Sequence, residues 1–210
     1  MTSKKELKRG FTLIEMLVVI GIIAILSGSL LAGFNAVTKS AQRARAQEAV
    51  SNAATALTLY YQKYQKWDPA ISAAPTGENG GQQMDVNVAK ALGKAGLLNI
   101  NYKDENGGQL FGTDRLGILD PWGIAVLKRN KDAGLGTPVP SGGTIQNHML
   151  YFAVDQDGDG IVEANLNGGM RKIRATAVVW CAGRDGKLAP YSQVGRSDDV
   201  FSWQRGQEKK

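Results

Sequence analysis

At 210 residues and 22.5 kDa the chain has room for one domain or two small ones, and 43% hydrophobic against 21% charged residues excludes wholesale disorder. One cysteine, Cys181, rules out an intrachain disulfide and a Cys-rich zinc site, and one histidine, His148, leaves little room for a His-based metal cluster. The net charge of +6 is not gathered into a stripe of Lys and Arg interleaved with aromatics, so no nucleic-acid binding is expected. No G-x-S-x-G elbow or P-loop spacing occurs, and the chain does not read as an enzyme.

Residues 1–10, MTSKKELKRG, are basic, and residues 11–34 are apolar with Glu15 as the one ionisable side chain. About 20 apolar residues suffice for a helix to cross the bilayer hydrocarbon, and the basic flank predicts a single pass with a cytoplasmic N-terminus. Lys39, Arg43 and Arg45 on the far side reduce that asymmetry. Ser27, Gly28 and Ser29 imitate a signal-peptidase site, but a carboxylate inside an inserting segment costs a few kcal/mol unless it finds a partner or the interface. Glu15 therefore calls for a specific role.

Residues 35–67 contain no proline and are rich in helix formers. Val50, Ala53, Leu57, Tyr60 and Tyr64 recur at steps of three and four, which places them on one face that docks on a head of residues 68–210. One helix over 11–67, closed by Asp68-Pro69, would be about 85 Å long at ~1.5 Å per residue. In the head, 70–83 reads as a loop. Val86, Ala89, Leu92 and Ala95 form a short amphipathic helix closing at Gly96, and Gly107-Gly108 marks a turn. Asp120-Pro121-Trp122-Gly123 reads as a turn into a strand over 124–127, and 128–147 as a surface excursion. Strands are expected over 149–154 and 173–180, with His148 at a loop or strand edge and Cys181 near a strand end. The expected fold is α+β: a long N-terminal helix, its first half transmembrane, packed on a small antiparallel sheet.

Two acidic loops suit a hard cation such as calcium, which takes oxygen ligands from carboxylates and backbone carbonyls. The first places Asp155, Asp157 and Asp159 at loop positions one, three and five, with Gly160 at six, as an EF-hand loop begins. Position twelve is Leu166, so Glu163 or Asn165 would have to complete the shell, and Asp-Gly pairs also make hairpin turns without metal. The second runs from Cys181-Ala182-Gly183-Arg184-Asp185-Gly186-Lys187 to Ser197-Asp198-Asp199-Val200-Phe201-Ser202-Trp203.

The stretch Lys8-Arg9-Gly10-Phe11-Thr12-Leu13-Ile14-Glu15 resembles the type III leader junction of type IV pilins and pseudopilins. The resemblance implies cleavage by prepilin peptidase between Gly10 and Phe11 and N-methylation of Phe11. It also implies a pairing of Glu15 with the Phe11 amino terminus of a neighbouring subunit in a filament. Removal of the leader, with its four cations and one anion, lowers the formal charge from +6 to +3. The C-terminal loop and the Asp120-Pro121-Trp122-Gly123 turn resemble the major pseudopilin of type II secretion systems. This implies a structural calcium held by Asp185, Asp198 and Asp199 with the carbonyl of Ala182; Asp155, Asp157 and Asp159, read from their own loop spacing, stay a second possible site. Cys181 stands where that pattern has serine, 188–196 replaces its short glycine-rich spacer, and the 155–159 insertion has no counterpart in it.

The implied protein is a homo-oligomeric filament subunit, single-pass in the bacterial inner membrane with a periplasmic head. Its partners would be prepilin peptidase, other pseudopilins and the inner-membrane assembly platform of a secretion pseudopilus. The alternatives are a type IV pilin for adhesion, competence or motility, and a membrane-anchored calcium-binding module that never polymerises. The lone Cys181 forbids the C-terminal disulfide of most adhesive pilins, which favours the pseudopilin.

Overall fold

The computed structural model describes residues 12–72, 81–97, 116–167, 169–190 and 197–203, with the side chains of 29–35 outside the description. The chain divides into two compact units, Met1–Ala41 and Gln42–Lys210. The expected turn at Gly107-Gly108 and part of the 70–83 loop lie outside the described residues.

Helix α1 spans Leu13–Tyr64. In the first unit its apolar side chains are exposed on every side, among them Leu13, Ile14, Leu17, Ile20 and Ile25. Among the described residues no helix is long and apolar enough to cross a membrane. The described side chains of the apolar run stop at Gly28, short of the about 20 residues that a span needs.

In the second unit α1 buries a stripe of mostly small residues, Ala46, Ala49, Val50, Ala53, Leu57 and Tyr60, spaced as a helix face requires. Tyr64, expected on that face, is 40% exposed. The helix ends there rather than at residue 67, because Gln65 turns into the left-handed region at φ 52°. Trp67 then lies parallel to the Tyr60 ring and donates its indole N–H to the carbonyl of Asp155.

Helix α2, Val86–Lys94, forms where the periodicity places it. The Asp85 carboxylate caps it through the amides of Asn87 and Val88, and Lys63 of α1 donates to the Ala95 carbonyl at its far end. Residues 124–127 are helical, not a strand: they belong to α3, Pro121–Arg129. Asp120 accepts from the amides of Trp122 and Gly123 at 2.9 Å each, and Pro121 occupies the first turn, where its missing N–H costs nothing. A four-residue apolar run is compatible with either element, and the cap decides between them. The 128–147 excursion is tied down as well, with Ala133, Val139 and Ile145 buried and a 3₁₀ turn over Ile145–His148.

Strands β1 (Gln82–Gln83), β2 (Tyr151–Val154), β5 (Ala177–Cys181) and β6 (Val200–Phe201) form an antiparallel sheet in the order β1-β2-β5-β6. Strands β3 (Ile161–Leu166) and β4 (Gly169–Arg174) form a separate hairpin. The strand expected over 173–180 is therefore two pieces, the end of β4 and the start of β5, with a bend at 175–176. β3 was not expected at all.

The alternation along β5 separates two cores. Ala177, Val179 and Cys181 face the α1 stripe together with Phe152 and Val154, whereas Val178 and Trp180 face Tyr151, Trp203 and the hairpin residues Val162, Ala164, Leu166 and Ile173. Removing a fully buried leucine side chain costs about 2–5 kcal/mol, and an exposed one usually costs under ~0.5 kcal/mol. We expect Leu57→Ala to destabilise the head by the larger amount and Leu59→Ala, 43% exposed on the same helix, by the smaller. Denaturant unfolding of the detergent-solubilised chain, followed by tryptophan fluorescence, checks this; equal effects would contradict the assignment of the docked face.

Candidate functional site

The α1 N-terminus is closed by its own side chains. Glu15, three residues after the Thr12 cap, accepts on Oε2 from the Thr12 amide at 2.8 Å and from the Thr12 hydroxyl at 2.9 Å. The Glu15 amide in turn donates to the Thr12 hydroxyl oxygen at 3.3 Å, so the pair forms a reciprocal capping box. Gly10 and Phe11, the expected processing residues, lie outside the described residues.

Of the two acidic loops, the first gathers its carboxylates. Asp155, Asp157 and Asp159 each bring one oxygen within 4.8 Å of the others. The loop is also held internally: buried Asp155 accepts from the amides of Gly158 and Gly160 at 2.8 Å each, and Asp159 accepts from the amide of Ile161 at 2.7 Å. It is not a hairpin turn, because β2 and β3, which it joins, belong to different sheets.

In the second loop, Asp198 Oδ2 accepts from the Arg184 amide at 2.6 Å, Asp185 Oδ1 from the Lys187 amide at 2.9 Å and Asp199 Oδ2 from the Ala189 amide at 3.0 Å. The backbone approach is close: a Cβ on Gly183, which has φ 64°, would lie 2.7 Å from Asp198. Asp199 is 5% exposed, and its Oδ1 has no hydrogen-bond partner among the described residues. Burial foremost, and the charges of Asp198 and Asp185, push its carboxyl up to about 6 against the opposing effects of Ser197 and the Ala189 amide. Ala182 is buried in the outer core beside Leu188 and Trp203. Among the described residues these three acids do not converge as Asp155, Asp157 and Asp159 do, and residues 191–196 of the loop lie outside the description.

Residues 7–31 match the model of the prokaryotic N-terminal methylation motif, the segment that carries the capped helix start. Over 104 residues, 47% of this chain, the sequence is 29% identical to the type IV major pilin protein of Neisseria gonorrhoeae. The chain spans 63% of the length of that curated relative, and no solved structure matches it.

The head also holds a polar pair that was not expected from the sequence. His148, read as a loop or strand-edge residue, is fully buried, with Nδ1 2.8 Å from Asp120 Oδ2 and Nε2 2.9 Å from the Gly142 carbonyl. A carbonyl oxygen only accepts, so Nε2 carries a proton; Nδ1 and the carboxylate must then share a second one. Burial opposes charge on the ring, but the hydrogen bond and charge of Asp120, the Gly142 carbonyl and the charge of Asp185 outweigh it and raise the His148 pKa. Burial likewise raises Asp120. The pair joins three segments, because a Cβ on Gly186 would lie 3.1 Å from His148 Nε2 and one on Gly142 would clash with the Asp185 backbone. The signal that could have found Asp120 is its place directly before Pro121, the pattern of a helix start, which the turn-into-strand reading of 120–127 passed over. Cys181 is buried and its thiol is pushed up by that burial, an inert small residue as expected.

A histidine whose pKa is raised on folding stabilises fully below its unfolded pKa of about 6.5, and that contribution is lost as pH rises through the folded value. Head stability should therefore fall above pH ~6.5 by up to about 1.4 kcal/mol per pH unit, the slope of one retained proton. The dependence should disappear in Asp120→Asn/His148→Asn. The chain has one histidine, so its imidazole NMR signals report the pair directly; a titration midpoint at or below ~6.5 in the folded protein would contradict the shared proton.

Proposed function

We propose that the chain is the structural subunit of a helical filament assembled through its N-terminal helix. The observation that carries this reading is the coincidence of the methylation motif with an apolar helix whose side chains are exposed all round and whose carboxylate, Glu15, sits in the first turn. An apolar surface of that extent calls for lipid or for other copies of the helix. In this reading prepilin peptidase cuts between Gly10 and Phe11, Phe11 is N-methylated, and residues 11–34 hold the subunit once in the bacterial inner membrane. The N-terminus is then cytoplasmic and the head periplasmic. On assembly the Glu15 carboxylate leaves its Thr12 partners for the Phe11 amino terminus of a neighbour, an ion pair favoured in the low-dielectric filament core. The role is structural, with no catalytic residues.

The filament we favour is the pseudopilus of a type II secretion system, built with other pseudopilins on an inner-membrane assembly platform and driving protein secretion. Its support is the Asp120-Pro121-Trp122-Gly123 segment, the C-terminal acidic loop and the free, buried Cys181. A type IV pilus is the second reading, favoured by the similarity to a type IV major pilin.

We further propose a structural calcium at the C-terminal loop. The residues fit in one respect: Asp199 Oδ1 is buried without a hydrogen-bond partner among the described residues, and the charges of Asp198 and Asp185 act on the same carboxylate. Bound calcium would supply the positive charge that offsets this burial. Asp155, Asp157 and Asp159 remain the second candidate set.

In the native host, in a strain lacking the wild-type copy, Glu15→Ala should be inserted and processed to a chain beginning at methylated Phe11 by intact mass, yet fail to form filaments. Filaments at wild-type yield would sink the pairing. Lost secretion with surface pili retained identifies the pseudopilus, and the reverse identifies the pilus. Separately, calcium should raise the melting temperature of the wild-type head and chelation should lower it, by mass action on the folded state. Asp199→Ala should abolish that response and Asp157→Ala should keep it; the opposite pattern would move the ion to the first loop.

A further inference from the structure

A cleft of about 400 Å³ opens where β2, the 155–160 loop and the β3–β4 hairpin meet. Ala153 and Ile161 give part of its lining an apolar surface, and around them stand Asp157, Asp159 and the half-exposed thioether of Met170. Glu163, also on the rim, pairs with Lys172 at 2.7 Å; the Lys172 charge also acts on Asp157 and Asp159, although neither has a cation within ion-pair distance among the described residues. Asp159 spends one oxygen on the Ile161 amide, and both aspartates are exposed to solvent. A partly apolar lining beside exposed carboxylates suits a long aliphatic stem that ends in a cation. The adaptable Met170 can close over such a stem.

The chain carries a matching feature. The last turn of α3 and the residues after it place Lys128, Arg129 and Lys131 within four positions. All three are exposed, and among the described residues none has a carboxylate within ion-pair distance. Cleft and basic run belong to the same compact unit and are not paired with each other within one chain. Two complementary but different patches on one molecule make a heterologous contact, which propagates from copy to copy instead of closing into a dimer.

We propose that the cleft receives a basic side chain from the 128–131 run of a neighbouring copy, so that successive heads are joined by a directional contact in addition to the bundling of their N-terminal helices. The proposal rests on the filament reading above. The contact is a register device: it admits a neighbour whose basic run is presented at the cleft and opposes one that presents its own acidic rim.

The test uses the full chain in host membranes, with cysteines introduced on both sides as Asp157→Cys/Lys131→Cys. Cys181 is buried and does not compete. Mild oxidation should give a ladder of cross-linked multimers in the double variant and none in either single variant. Filaments of the double variant without a ladder would overturn the proposal, as would a ladder equally strong in a single variant. Charge reversal supplies the second measurement. Asp157→Lys/Asp159→Lys and Lys128→Glu/Arg129→Glu/Lys131→Glu should each reduce filament yield severalfold, and their combination should recover most of it. No recovery, with each variant head folded by circular dichroism, would count against the contact, and calcium protection of Asp157→Cys from thiol labelling in intact filaments would give the cleft to a metal ion instead. If processed, methylated parent protein forms no filaments, the filament reading itself fails and the proposal falls with it.

Discussion

Strand β5 has to be covered on both faces, and the rest of the head is arranged around that requirement. All five of its residues are buried. A strand in a two-sided core reads as a continuous apolar run, here Ala177 to Cys181, and it folds only if two different layers are brought to it. The small-residue stripe of α1 covers one face, since Ala46, Ala49 and Ala53 let the helix backbone come close. The β3–β4 hairpin covers the other, filling the space around Trp180 with Val162, Ala164, Leu166 and Ile173. The hairpin that follows the 155–159 insertion is therefore part of the core. The acidic loop and the cleft at its mouth follow from its having to cross from one sheet to the other.

Helix α1 serves two environments with one backbone. Its second half is amphipathic and gains stability by packing on the head; its first half exposes apolar side chains on every side and has no such partner within the described chain. The Thr12–Glu15 box settles the otherwise open amides at the helix start, so the single carboxylate of the apolar run is already hydrogen-bonded before any neighbour arrives. Assembly as proposed exchanges those bonds for an ion pair. The gain is a difference between two satisfied states, and it depends on how dry the surroundings of Glu15 become.

The buried Asp120–His148 pair ties together several segments on the side of the head near the C-terminal loop. Asp120 uses one oxygen to start α3 and the other to hold His148, which passes the restraint on to the Gly142 carbonyl and to the turn at Gly186. Removing either member would leave the other as a buried polar group without its partner, a costly state. The loop that carries Asp185 thus sits on a fixed platform, whereas Asp199 reaches the same region from the start of β6.

Much of this was legible in the chain itself, because the physics involved is local. The apolar N-terminal helix, the helical stripe from Val50 to Tyr60 and the short helix from Val86 each depend on residue spacing along one backbone, and each appears where that spacing puts it. The Asn167-Gly168 pair after the alternating run 161–166 was a hairpin signal that went unused. What only tertiary structure decided involves partners distant in sequence. Which face of β5 each residue took depended on what arrived to cover it. That His148 is buried follows from its meeting an aspartate 28 positions away, and its ring is acceptable in the core because both nitrogens find oxygens there. Periodicity specifies which surface a segment must bury; what that surface is buried against, and which polar groups can follow it inside, is fixed only when the folded chain brings the partners together.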